Sequence, residues 1–353
     1  MVAVNCSSLK KVKKRRYKMK KSFNFLVVVA LVLSMLMLVS CNKKEGSSSS
    51  TANVTSFSAS TGGMAAGSPA GKGMAKFAEK VEEYSNGTMK IEVFYDTTLG
   101  NSTSIINGMQ QGSVDFGVCG DAYYAGLVPE IQAFELPFLF SSLEEARTAL
   151  SGKAGQYVSE KIAKKGIQPL SFWEIGFRNL TNNKREVVTP SDLKGVKLRT
   201  LAAQTQVKAW EYAGAIPVAM DVSELYSSLQ QGVVDGQENP LSEIVNQRFY
   251  EVQKNLSLTE HVYTPMLFSC SGTTWASLSA EQKDIISRAA KDAQAEVYAV
   301  NDANSAVYLK QIKDAGVQVC ENPDKEAFKE LMSKAYPVFI DQCGDEILKI
   351  LGK

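Results

Sequence analysis

The sequence predicts an α/β fold in two lobes built on one plan, with a long helix spanning both. Three observations predict it. Strands and helices alternate through the folded part, which argues for a parallel sheet. The phrase Gln110-Gln111-Gly112-Ser113-Val114-Asp115 returns 120 residues later as Gln230-Gln231-Gly232-Val233-Val234-Asp235. Ser279 to Ala315 is a run of 37 residues without Gly or Pro.

In chain order, the first segment differs in kind from the rest. Residues 1–40 hold nine Lys or Arg and no Asp or Glu, so the remainder carries 39 − 9 = 30 basic against 37 acidic residues, a formal charge near −7. The slightly basic whole-chain balance therefore belongs to the leader and does not argue for a nucleic-acid partner. Phe23 to Ser40 is apolar apart from Asn24 and two serines, and follows the cationic Lys18 to Lys21. A basic start, an apolar stretch and a small residue before Cys41 describe a signal peptide over residues 1–40. The Cys after the small residue resembles a bacterial lipobox, which implies cleavage before Cys41 and its lipidation. The competing reading is an uncleaved membrane helix, since 18 residues is near the lower limit for spanning. Met19 is an alternative start, which would make residues 1–18 a start-site artefact. Residues 41–56, Ser- and Thr-rich from Gly46, read as a flexible tether.

Apolar or small residues at Ala70, Met74, Phe77, Ala78 and Val81 predict an amphipathic helix over Ser68–Glu83, stopped at Asn86-Gly87. Met89 to Tyr95 alternates as a strand, Ser104 to Gln111 reads as a helix stopped by Gly112, and Val114 to Val118 as a buried strand. In both copies of the repeated phrase the Gly follows a short helix, where a left-handed cap is needed. A comparable strand precedes each, Lys90–Val93 and Lys197–Thr200. The long run opens on Ser279 with Gln282, a capping box, and stops at Gly316. At about 1.5 Å per residue one helix would reach roughly 55 Å, enough to tie two lobes together. Two helices broken near Asn301–Asn304 are the alternative.

Common nucleophile chemistry finds no support. His261 is the only histidine, no G-x-S-x-G motif occurs, and a structural role is favoured for it. Clustered zinc ligands are absent from the sequence, and no cofactor is implied. The stretch Gly62 to Gly73 lacks the first Gly and the hydroxyl residue of a phosphate loop, with Ala66 and Gly73 in their places. Cys119, Cys270, Cys320 and Cys343 have no CxxC spacing; export permits disulfides, but buried free thiols fit equally. Arg178 follows the apolar run Pro169 to Phe177 and reads as lying beyond a strand's carboxyl end, where open α/β sheets bind ligands. Arg199 follows Val196-Lys197-Leu198, which also fits a solvated strand face. Either guanidinium is a natural carboxylate receptor, because its planar fork donates two parallel hydrogen bonds.

Several motifs together are recognisable. Ile175 to Asn182, Asp192 to Arg199, Ser223-Glu224-Leu225-Tyr226, Asp235 to Pro240 and Phe249 to Lys254 resemble, in order, the solute-binding proteins of TRAP (tripartite ATP-independent periplasmic) transporters, the DctP family. The likeness runs from about residue 57 to 340. It implies a two-lobe periplasmic-binding-protein-like fold with a central ligand cleft, and a binding protein rather than an enzyme. It further implies that Arg178 contacts the ligand, that Arg199 makes the principal carboxylate pair, and that Asn239 helps hold the same ligand. Glu238, Asp121 and Ser60 match pocket positions that vary between members. Val222 stands where relatives often have an aromatic, and Trp173 is a candidate replacement, although core packing is its better-supported role.

The expected lobes are residues 57–176 plus 265–304, and residues 177–264 plus 305–353. The expected ligand is a small organic acid, either a sugar acid such as a uronate or a C4-dicarboxylate. The partners implied are a small and a large membrane subunit that perform ion-coupled uptake, and the membrane itself through the lipid anchor. A ligand-sensing lipoprotein of the same fold feeding a signalling receptor is the second reading. An extracytoplasmic enzyme acting on acidic sugars is the third, disfavoured by the lone histidine.

Overall fold

The computed structural model describes residues 54–353, apart from residue 202. The segment expected as a signal peptide, Cys6, Cys41 and most of the segment expected as tether lie outside the described residues. Strands β1 (Thr55–Ser60), β2 (Met89–Phe94) and β3 (Phe116–Gly120) form a parallel set in the order β2-β1-β3. The first strand therefore begins inside the segment expected as tether. Next come β4 (Ile167–Asn182), β5 (Lys197–Thr200), β6 (Ile216–Ala219) and β7 (Gly236–Pro240); the last three form a second parallel set in the order β6-β5-β7. Strands β8 (Asn255–Ser257), β9 (Tyr263–Ser271) and β10 (Gln318–Cys320) complete the sheet. β9 runs antiparallel to β3 in one lobe, and β4 antiparallel to β7 in the other.

The repeated phrase marks equivalent places in the two sets. Gly112 and Gly232 both adopt left-handed backbone, with φ of 76° and 71°. Each closes a short helix, Ser102–Gln111 and Leu225–Gln230. The aspartate ending each phrase then caps a neighbouring strand: Ser58 N donates to Asp115 Oδ2 at 2.8 Å, and Lys197 N to Asp235 Oδ2 at 2.9 Å. The strand equivalence differs from the one expected. Strand order matches β5 with β1 and β6 with β2, so Lys197–Thr200 is the counterpart of Thr55–Ser60 and not of Lys90–Val93. Because Asp115 serves as a cap, β3 also starts at Phe116, later than the apolar pattern suggests.

β4 corrects a second expectation. It does not end at Phe177 but continues to Asn182, pairing with β9 up to Phe177 and with β7 from Arg178 onward. The polar residues beyond Phe177 stay in the strand because the second lobe's sheet takes over their backbone partners. Arg178 thus stands where one strand passes from lobe to lobe.

The long helix is unbroken from Ala280 to Asp314. Its 35 residues span about 52 Å. Ser279 and Gln282 form the reciprocal capping box, at 3.2 and 2.9 Å. Its first half buries Ile286, Ala289, Ala293 and Val297 against Met74, Phe77 and Phe268 of the first lobe. Near its far end Ile312 enters the second lobe's core with Leu229, Ile244 and Phe249. No break occurs at Asn301, whose side chain instead donates to Glu174 O on β4 at 3.1 Å. Among the described residues no helix is long and apolar enough to cross a membrane.

The C-terminal tail departs from the expected lobe boundary. Phe339, Ile347 and Leu348 are buried among Ile131, Val158 and Ile162, so the helices Tyr336–Cys343 and Glu346–Leu351 return to the first lobe's core. Trp173 is fully buried and stacks on Phe268, with ring centroids 4.7 Å apart, which makes it core and not a ligand-facing wall. Cys119, Cys270 and Cys320 are buried and Cys343 is half-buried, all as free thiols. Burial pushes the Cys119 thiol up to about 12.

Candidate functional site

Both lobes present the carboxyl ends of their parallel strands to the same junction. Ser60 ends β1 and Asp121 follows β3; Arg199 lies near the end of β5, and Glu238 and Asn239 near the end of β7. Arg178 reaches them from β4, where it pairs opposite Pro240. All six are buried, none more than 6% exposed, so the junction is closed over them. Ser60 Oγ accepts from Gly62 N at 3.3 Å and has no bond to the other five.

Arg178 is held by the protein. Its Nε and Nη2 engage both carboxylate oxygens of Glu238, and Nη2 also reaches Glu238 O at 2.6 Å and Asn239 Oδ1 at 3.0 Å. Nη1 donates to Thr264 Oγ1 at 3.2 Å. Burial alone would raise the Glu238 carboxyl, but Arg178 and then His261 bring it down to about 2. His261 is fully buried, with Nε2 3.0 Å from Glu238 Oε2 and Nδ1 2.8 Å from Thr259 Oγ1. Burial lowers its pKa, so the ring is neutral; an ionised carboxylate can only accept, so Nε2 carries the proton and Nδ1 accepts from Thr259. The lone histidine is structural, as expected, and what it holds is the site's own carboxylate.

Arg199 is in the opposite condition. It is 1% exposed, not the solvated strand face that the alternation allowed. Nε donates to Met220 O at 3.0 Å, and Nη2 is buried without an acceptor among the described residues. Burial first, and the Arg178 charge second, lower its pKa, with Glu238, Tyr123 and Asp221 opposing. A buried guanidinium with an open N–H edge can receive an anion, which would compensate its desolvated charge.

Two residues that the sequence reading missed complete the wall. Glu135 ends the turn Pro129–Glu135, and Gln206 lies on the helix Gln204–Tyr212 of the other lobe; Gln206 Nε2 donates to Glu135 Oε2 at 2.9 Å. Glu135 faces Asp121. Burial, then the Glu135 charge, raises Asp121 well above the carboxylate range; burial raises Glu135 to about 7 although Arg178 opposes it. The two acids therefore hold one proton between them near neutral pH. Val222, the departure from the family pattern, packs half-buried against the second lobe's core. A separate groove of about 490 Å³, bordered by Phe140, Phe177, Tyr308 and Lys325, lies along the hinge and includes neither arginine.

The acid pair makes stability depend on pH. A carboxyl whose folded-state pKa is raised carries no penalty below its ordinary value near 4.3, and a growing one as pH rises toward about 7. Glu135→Gln is expected to raise the melting temperature at pH 8 by a few degrees over wild type, and by clearly less at pH 5. Thermal unfolding at the two pH values checks it, and equal shifts would show that Glu135 does not titrate in this window.

The sequence and the two-lobe fold both resemble those of known proteins. Residues 61–342 match the family model of DctP, bacterial extracellular solute-binding protein, family 7. The chain is 32% identical over 281 residues to the 2,3-diketo-L-gulonate-binding periplasmic protein YiaO of Escherichia coli, covering 79% of this chain and 86% of that one. It superposes on the sugar acid binding protein DctPAm of Advenella mimigardefordensis, solved with galactonate, at a TM-score of 0.81 and 36% identity, over 85% and 97% of the two chains. A TRAP periplasmic solute binding protein of Sulfurospirillum deleyianum with bound succinate gives 0.79 and 29%, over 84% and 98%. The chain therefore belongs to the bacterial extracellular solute-binding proteins of family 7, the DctP family of TRAP-transporter binding proteins, and is a binding protein and not an enzyme.

Proposed function

We propose that this chain captures a small organic acid outside the cytoplasm and delivers it to the small and large membrane subunits of a TRAP transporter for ion-coupled uptake. The ligand is a sugar acid, such as a uronate, or a C4-dicarboxylate. Arg199 is its principal carboxylate partner, and Arg178, Asn239, Glu238, Asp121 and Ser60 form the surrounding pocket. The observation that carries this reading is the open, buried Nη2 of Arg199 at the junction of two lobes. A desolvated cation of this kind needs a counter-ion, and a carboxylate satisfies both of its parallel donors. The lobes close around the ligand, so differential affinity for the closed state draws the population toward it.

A thermal-shift series of the purified protein against organic acids tests the reading. A ligand that binds only the folded state at a hundred times its Kd adds about 2.7 kcal/mol of stability. At least one carboxylic acid is expected to raise the melting temperature, and failure of every acid in a broad panel would remove the proposal.

We place the chain on the envelope through a lipid at Cys41, on the strength of the Leu38-Val39-Ser40-Cys41 sequence after an apolar stretch. Cys41→Ser is expected to release the protein into the soluble fraction or to leave an unprocessed precursor. Unchanged membrane attachment with normal processing refutes the anchor.

A further inference from the structure

We infer that the cleft is built for a polyhydroxylated monocarboxylate, an aldonate or a uronate, and discriminates against dicarboxylates through Asp121, Glu135 and Gln206. This rests on the reading above that Arg199 pairs with a carboxylate, and it narrows the ligand class. The argument is a count of donors, acceptors and charges at one closed junction.

On the cationic side, Arg178 has a carboxylate partner and Arg199 has none among the described residues. Arg178 already shares two donors with Glu238 and a third with Thr264, so its charge is neutralised in place. Arg199 alone offers a buried N–H edge without an acceptor. The site therefore has one positive charge to give, which suits one carboxylate.

The rest of the wall asks for the opposite chemistry. Gln206 Oε1 is buried without a hydrogen-bond partner among the described residues, and Asp121 Oδ2 and Glu135 Oε1 have none there beyond each other. Sharing one proton, Asp121 and Glu135 still carry one negative charge and spare lone pairs, and Gln206 Oε1 still lacks a donor. Such a wall is satisfied by hydroxyl groups, each of which donates one hydrogen bond and can turn to accept another. A second carboxylate brings only acceptors and a second negative charge. It would meet Asp121 and Glu135 in a desolvated space, where like charges are strongly unfavourable. A site that hydrogen-bonds hydroxyls rejects an analogue lacking them because its own buried acceptors are then left unpaired.

Calorimetry on the purified full-length protein tests this with a panel of aldonates and hexuronates of differing stereochemistry, beside succinate and fumarate. The tightest hydroxylated monocarboxylate is expected to bind at least about a hundredfold better than either dicarboxylate, a difference of about 2.8 kcal/mol at 1.4 kcal/mol per tenfold. The double variant Asp121→Asn/Glu135→Gln, with its fold confirmed by circular dichroism, is expected to narrow that ratio at least about tenfold. Succinate or fumarate binding as tightly as the best sugar acid overturns the inference. If that binding is still lost in Arg199→Ala, the organic-acid reading survives alone. Binding of no acid by the wild type removes both readings, and an unchanged ratio in the double variant removes the acid pair as its cause.

Discussion

Arg199→Ala is expected to weaken ligand binding by at least about thirtyfold while leaving the melting temperature of the unliganded protein close to that of wild type. The side chain gives the fold little: one bond, to Met220 O, and an Nη2 with no acceptor. Burial works against its charge, so truncation relieves a desolvated cation even as it loses packing contacts. The ligand has no such compensation. Its carboxylate would be left desolvated and unpaired, a loss of roughly 2–5 kcal/mol, or at least about thirtyfold at 1.4 kcal/mol per tenfold. Arg199→Lys is expected to be damaging too, because an ammonium cannot reproduce the two-pronged donor. Calorimetry and thermal unfolding on the same samples check both halves. Near-wild-type affinity in folded Arg199→Ala sinks the assignment.

Arg178→Ala is expected to behave in reverse, with its largest effect on stability. Arg178 and Glu238 are 3% and 1% exposed. Removing the arginine leaves a buried carboxylate with His261 as its side-chain hydrogen-bond partner and no ion pair, at a cost of roughly 3–5 kcal/mol. The double variant Arg178→Met/Glu238→Leu is expected to recover much of that loss, since replacing both partners of a buried pair with apolar residues is often close to neutral. Urea unfolding of the two variants decides the matter. A single variant as stable as wild type would show that the pair does not hold the junction. The direct affinity loss in Arg178→Ala should be the smaller of the two arginines' effects, because only Nη1 has a donor left for a ligand.

These two arginines also show what the sequence could and could not reveal. Both stand out from strand position and guanidinium chemistry, the resemblance alone gives them separate roles, and their opposite circumstances are not legible. The apolar run stops at Phe177, so local pattern ends the strand there; the continuation through Arg178 depends on β7, some sixty residues away. Arg199 alternates with its apolar neighbours, and nothing local says that the outward face of that strand is covered by the other lobe. What local chemistry does govern came through well. The long helix was legible because its capping box and its terminal Gly are intrinsic to the segment. The repeated phrase was legible because Gly112 and Gly232 each need left-handed backbone. The wrong pairing of Lys90–Val93 with Lys197–Thr200 arose because strand order in a sheet is a long-range property. Glu135 carried a readable signal that went unused: an acid set in the run Phe134-Glu135-Leu136-Pro137-Phe138, where a charge has no local reason to be. Gln206 carried none.

The unbridged thiols have a consequence for biogenesis. Among the described residues the cores close around Cys119 and Cys270, and Cys320 is buried too, without cross-links. A domain of about 300 residues buries enough apolar surface to need no covalent staple, unlike small exported scaffolds. Thiol–disulfide exchange requires an accessible thiolate, and burial that pushes Cys119 up to about 12 denies it one. Burial raises the Cys270, Cys320 and half-buried Cys343 thiols too, so residues 54–353 are expected to mature without oxidase or isomerase help and to hold the same structure in a reducing envelope as in an aerated one.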